Sequence, residues 1–140
     1  MKSFALLVLL VGLVAAMRDQ SIAVKGKLLC GTSPAKNVRV KLWEEDSGPD
    51  PDDLLDQGYT DGQGMFNLKG GTAELTDIDP VFKVYHDCDD SKLKPGLRKI
   101  RFKLPKSYIT KGKVPQKTFE IGVLNLETIF AEEEREILPK

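Results

Sequence analysis

Ile22-Ala23-Val24-Lys25-Gly26-Lys27-Leu28-Leu29-Cys30 carries the pattern on which the fold turns. Ile22, Val24, Leu28 and Cys30 fall on one side of an extended chain, and Ala23, Lys25, Lys27 and Leu29 on the other. That is the period of a half-buried strand. The period recurs. Val38, Val40 and Leu42 alternate with Arg39 and Lys41 ahead of Trp43, and Val81, Lys83 and Tyr85 alternate with Phe82, Val84 and His86. Ile100, Phe102 and Leu104 alternate with Lys99, Arg101 and Lys103, and Phe119, Ile121 and Val123 follow Thr118. Residues 54–60 and 65–68 are shorter strand candidates, joined by the hairpin signal Asp61-Gly62-Gln63-Gly64. The acidic segment 46–53 holds two prolines and cannot pair in a sheet. Residues 70–79 read as a loop or a single helical turn. Leu124 and Leu126 break the phase of the last strand and place a bulge at Gly122 or Val123. No segment carries an apolar stripe of helical period. The expected fold is all-β, an antiparallel β-sandwich of about seven to eight strands.

Ahead of that domain, Lys2 precedes the apolar run from Phe4 to Ala16, which is too short to cross a bilayer and ends in Val14-Ala15-Ala16. Residues 1–16 are expected to be a signal peptide, 17–131 the sandwich domain, and 132–140 a polar, frayed C-terminal tail. The protein is then secreted and extracellular, with no transmembrane segment. In an oxidising compartment Cys30 and Cys88 have only each other as internal partners. A bridge and two free buried thiols are both open on spacing alone.

Twenty-one basic and 21 acidic side chains cancel, which argues against nucleic acid as a partner. One histidine and two cysteines exclude a four-ligand Cys/His zinc site and leave His86, beside Asp87, without a second catalytic group. A structural or exposed histidine is the better reading, so no enzyme and no cofactor is expected. Charge is nevertheless segregated along the chain. Residues 44–90 hold fourteen acids and two bases, and residues 91–119 hold ten bases and no acid. Lys92, Lys94, Arg98, Lys99, Arg101, Lys103 and Lys106 form the candidate binding stretch, which runs on to Lys117. Alternation sends Lys99, Arg101 and Lys103 out on one face. Such a stripe suits an anionic lipid surface, a sulfated glycan or an extracellular protein, unless acidic strands beside it neutralise it. Asp50, Asp52 and Asp53 are the nearest approach to a metal-ligand set, with Asp87, Asp89 and Asp90 a second acidic group. Neither has EF-hand spacing, and Pro49 and Pro51 stiffen the first, so solvated turns and no metal are expected. Trp43 and Phe66 read as core or edge aromatics rather than a ligand cage.

Val24-Lys25-Gly26-Lys27-Leu28-Leu29-Cys30, the block 38–59 with its Asp46-Ser47-Gly48-Pro49-Asp50-Pro51-Asp52-Asp53, Tyr85-His86-Asp87-Cys88, and Ile121-Gly122-Val123-Leu124-Asn125-Leu126-Glu127 resemble the nematode transthyretin-like family. The resemblance covers residues 21–134. It implies a transthyretin (prealbumin-like) β-sandwich in a small secreted protein, with a role proposed for some members in extracellular or cell-surface recognition. Many members carry two further cysteines. Gly96 stands at the first of those places here, and the tail Glu134-Arg135-Glu136-Ile137-Leu138 has none, which leaves Cys30 and Cys88 as the implied disulfide. Transthyretin-fold hydrolases of 5-hydroxyisourate have several active-site histidines and a Tyr-Arg-Gly-Ser ending. This chain has His86 alone and ends Ile137-Leu138-Pro139-Lys140. The expected function is a secreted, non-catalytic binding protein acting through a basic face. The alternative is a carrier of a small hydrophobic ligand.

Overall fold

Period-two alternation becomes two packed sheets. The computed structural model describes residues 17–46, 51–91 and 93–137. The expected signal peptide at 1–16, Asp50, Lys92 and residues 138–140 lie outside them. The strands are β1 (Arg18–Cys30), β2 (Ser33–Pro34), β3 (Arg39–Glu44), β4 (Asp53–Tyr59), β5 (Met65–Glu74), β6 (Pro80–His86), β7 (Leu97–Lys103), β8 (Thr110–Lys111), β9 (Phe119–Asn125) and β10 (Glu134–Glu136). One sheet gathers β2, β5, β8 and β9 around β1, and the other has the order β10-β7-β6-β3-β4. The all-β sandwich read from the sequence is the observed architecture.

Apolar residues of alternate phase meet between the sheets. Ile22, Val24, Leu28, Phe66 and Leu68 come from the β1 sheet, and Val40, Leu42, Phe82, Val84 and Ile100 from the other. Phe66 stacks on Phe82 with ring centroids 4.6 Å apart, so the aromatic contact joins the layers directly. At one end of the sandwich a Cys30–Cys88 disulfide ties the end of β1 to the chain just after β6, with Cα atoms 5.8 Å apart. Of the two possibilities left open by spacing, the bridge is the one that forms.

Three features differ from the sequence reading. β9 runs parallel to β1, the exception in an otherwise antiparallel pairing scheme. Its register slips between Lys25 and Gly26, leaving Ile121 as the extra residue beside Gly122 at φ +86°. β5 does not stop at Leu68 but continues to Glu74, through glycines that had read as a loop. A Cβ at Gly70 would lie 2.3 Å from the Leu55 carbonyl oxygen, and one at Gly71 would lie 2.5 Å from that of Gln20. The glycines permit close approach of neighbouring backbone rather than a turn. The segment expected to fray as a polar tail carries β10 instead, hydrogen-bonded along β7 with Glu134, Arg135 and Glu136 opposite Lys99, Arg98 and Leu97.

Candidate binding face

The two-residue period decides where each candidate cation goes. In the β10-β7-β6-β3-β4 sheet, Val40, Leu42, Phe82, Val84 and Ile100 face the core. Arg39, Lys41 and Trp43 of β3, Lys83 and Tyr85 of β6, and Lys99, Arg101 and Lys103 of β7 therefore share the outer face. Register places Lys41 beside Lys83, Lys83 beside Arg101, and Tyr85 beside Lys99. Arg39 stands opposite Tyr59 on β4. Six cations thus meet on one face, three of them from strands that contributed nothing to the basic stretch read along the chain.

Aromatic rings hold most of these cations. The Arg39 guanidinium lies 5.5 Å from the Tyr59 ring centre and donates to its hydroxyl at 2.6 Å. Lys41 Nζ is 5.3 Å from the Tyr85 ring and 5.9 Å from that of Trp43, Lys83 Nζ is 5.2 Å from Trp43, and Lys99 Nζ is 6.0 Å from Tyr85. Lys41 is 0% exposed although it points away from the core, and its Nζ has no hydrogen-bond partner. Burial, with Arg39 next to it, pushes its ammonium below the usual lysine range. Burial and the nearby Glu136 push the Tyr85 phenol up to about 12.

Carboxylates enter only at the margins of this face. Glu45 accepts from Lys83 at 3.1 Å and from Arg101; burial works to raise its pKa, but these two cations hold it below the ordinary range. Glu136 and Glu134 of β10 lie 3.4 and 3.9 Å from Lys99. Lys103 is exposed and, among the described residues, ion-pairs with nothing. Arg101, Lys103 and Lys106 line a cleft of about 410 Å³ with Glu45, Asp46 and Asp79, where Lys106 pairs with Asp79 at 3.2 Å.

Arg98 does not stand with these residues. It is 7% exposed and faces inward at the disulfide end. There it donates to Glu133 and to the carbonyls of Cys88, Leu126 and Thr128 at 2.7, 3.0 and 3.1 Å. The even position that separates it from Lys99 and Arg101 removes it from the outer face. Lys94 lines a second cleft, of about 310 Å³, in which Arg135 binds Asp90 at 3.0 Å. The basic stretch is therefore divided among an outer face, an interior clamp and a mixed-charge cleft.

His86 is 3% exposed, and its Nδ1 accepts from the Cys88 N–H at 3.1 Å. Burial, reinforced by Arg98, pushes its pKa down to about 4. Of the acidic group read as nearest to metal ligands, Asp52 accepts the Asp46 N–H at 2.9 Å and Asp53 opens β4, so they serve different neighbours. Trp43 lies on the outer face, whereas Phe66 is core.

Residues 25–105 match the Transthyretin-like family. The chain belongs to that family. It is 78% identical to Transthyretin-like protein 46 of Caenorhabditis elegans over 98% of this chain and 76% of the relative. Transthyretin-like proteins 33 and 5 of the same organism are 47% and 43% identical, covering 88% and 94% of this chain and 85% and 98% of their own. A solved 9R-lipoxygenase from Cyanothece is similar over 81% of this chain and 17% of its own, at 25% identity and a TM-score of 0.42, too distant a likeness to carry fold or function. Membership of the transthyretin-like family suggests a binding protein rather than an enzyme, and together with the disulfide it suggests an extracellular setting.

Proposed function

We propose that this transthyretin-like protein is a secreted, non-catalytic recognition module that binds an anionic extracellular surface through the outer face of the β10-β7-β6-β3-β4 sheet. One observation carries the reading: four of the six cations of that face stand over aromatic rings, and Arg39, Lys41 and Lys103 have no carboxylate partner among the described residues. A ring stabilises a cation without cancelling its charge, so Arg39, Lys41, Lys83, Lys99, Arg101 and Lys103 outnumber Glu45, Glu134 and Glu136 and leave the face positive. Buried His86, held neutral and spent on the Cys88 N–H, offers no general base at a cleft. A hydrophobic carrier role finds less support, because the larger clefts open on charged side chains.

Co-sedimentation of the mature protein with phosphatidylserine-containing and phosphatidylcholine vesicles, at two salt concentrations, tests the reading. Binding to the anionic vesicles alone, weaker at higher salt, is expected. Arg39→Gln and Lys103→Gln should each remove about 1 kcal/mol, roughly fivefold in affinity. Salt-sensitive retention on heparin beads with no vesicle binding moves the surface from lipid to sulfated glycan. Absence of both, or binding that ignores Arg39→Gln and Lys103→Gln, overturns the proposal.

A further inference from the structure

Glu44 ends β3 at the end of the sandwich opposite the disulfide. The alternation that turns Val40 and Leu42 inward turns Glu44 inward too, and it is 4% exposed. Asp53 stands opposite it in register on β4. Glu74, the last residue of β5, arrives from the other sheet. One carboxylate oxygen from each of the three lies within 4.8 Å of the others. The Asp79 N–H donates to the Glu44 carboxylate, yet Glu44 Oε2 is buried with no partner.

Most basic side chains at this end are committed elsewhere, and Lys103, which has no ion pair among the described residues, stands on the outer face while Glu44 turns inward. Arg18 pairs with Asp77, Lys106 with Asp79, and Lys83 and Arg101 with Glu45. Among the described residues none pairs with Glu44. Burial, followed by the charges of Glu74, Asp46 and Asp53, holds the Glu44 carboxyl above the ordinary range. A buried carboxylate with an empty lone pair among like charges is unfavourable unless a cation joins it.

We propose that Glu44, Asp53 and Glu74 form a site for a calcium-class divalent cation that ties β3 and β4 of one sheet to β5 of the other. Oxygen-only donors select a hard cation over zinc or copper. Magnesium demands near-ideal octahedral geometry, dehydrates reluctantly and is seldom held by an all-protein carboxylate set, which favours calcium at these three side chains. Three carboxylates with water completing the shell place the affinity at about 10⁻⁴ to 10⁻³ M, the range of extracellular calcium modules. The site uses none of the residues of the cationic face and stands or falls apart from it.

The test is thermal unfolding of the chelator-treated mature chain, titrated with calcium, magnesium or choline chloride at matched ionic strength. A saturable rise in Tm with calcium is expected, with magnesium at least tenfold weaker and choline without effect. Glu44→Gln, Asp53→Asn and Glu74→Gln should each weaken the calcium response at least tenfold, whereas Glu120→Gln, on exposed β9, and Arg39→Gln should not change it. Glu44→Gln removes a buried repulsion, so it folds in chelator and keeps the comparison readable. Terbium gives a second readout: Trp43, adjacent in sequence to Glu44, should sensitise its emission, and calcium should quench it by displacement. A response equal in the unsubstituted protein and Glu44→Gln is charge screening and overturns the site. So does a protein that is stabilised by Glu44→Gln but indifferent to calcium, because a proton on Glu44 then resolves the repulsion.

Discussion

The two ends of the sandwich bury charge in opposite ways. At the disulfide end, Arg98 is sunk beneath Cys88 with every direction filled: a carboxylate from Glu133 and carbonyls from Cys88, Leu126 and Thr128. Hydrogen bonding to Glu133 raises the already high pKa of Arg98, and Arg98 in turn holds Glu133 below the ordinary range. At the far end, Glu44 is sunk among Asp53, Glu74 and Asp46 with Oε2 unfilled. Burial depth is similar, at 7% and 4% exposure, so it is the partners that differ. At the first end the buried charge is matched by the chain's own atoms, and the Nε2 left without a partner there belongs to neutral His86. The second asks for something from solution. A fold so arranged is locked at one end and adjustable at the other.

The locked end should show the largest effects. Replacing both cysteines, as Cys30→Ala with Cys88→Ala, opens a loop of sequence separation 58 and should cost about 4 kcal/mol in urea unfolding. A loss below about 1 kcal/mol would mean that the clamp, not the bridge, closes this end. Arg98→Met tests the clamp itself by leaving Glu133 buried and three carbonyls unmatched, for about 3 kcal/mol. Adding Glu133→Gln to Arg98→Met should cost less than the sum of the two single losses, because the pair shares one interaction. Strict additivity would remove the clamp from the account.

Acid should loosen the same end through His86. Its pKa is about 4 when folded and about 6.5 when unfolded, so between those values the unfolded chain binds the extra proton. Stability therefore falls as pH drops through 6.5 and levels off below 4. For this group the loss between pH 7 and pH 5 is about 2 kcal/mol. His86→Asn retains an acceptor for the Cys88 N–H and does not titrate. The difference between its pH profile and that of the unsubstituted chain isolates the effect from carboxylates such as Glu133, which lose their own contribution at lower pH. Parallel profiles would show that His86 titrates alike in both states.

Much of this was readable along the chain and some was not, for reasons that lie in particular residues. Period-two runs located β1, β3, β6, β7 and β9 because each has one face in the core, where burial enforces the pattern. The second half of β5 was hidden because Gly70 and Gly71 carry turn chemistry while serving close backbone approach. Nothing local marks β9 as parallel, since direction is chosen by which edge of β1 remains free. Lys99, Arg101 and Lys103 were placed on one face by alternation. The same alternation, applied one residue earlier, removes Arg98 from that face, and applied two residues past Leu42, turns Glu44 inward. That second signal was available and was obscured by the acidic segment 46–53 beginning beside it. Lys41, Lys83 and Arg39 could not have been joined to the basic face without register, because neighbours across a sheet are distant in sequence.

The smallest predicted effect is the sharpest, since it sets two adjacent glutamates against each other. Glu44 and Glu45 alternate to opposite sides of one strand end. Glu45 accepts from Lys83 and Arg101, so Glu45→Gln should lose about 1 kcal/mol in chelator. Among the described residues Glu44 has no basic partner, and Glu44→Gln keeps an acceptor for the Asp79 N–H while removing the repulsion from Glu74, Asp46 and Asp53. It should gain about 1 kcal/mol under the same conditions. With saturating calcium the sign at position 44 reverses, because the unsubstituted protein then gains the ion and the variant does not. The sign at position 45 stays as it was. Urea unfolding of both variants, with and without calcium, reads all four values. A loss from Glu44→Gln in chelator would mean that its carboxylate is already satisfied by the fold, and the contrast between the two ends of the sandwich would disappear.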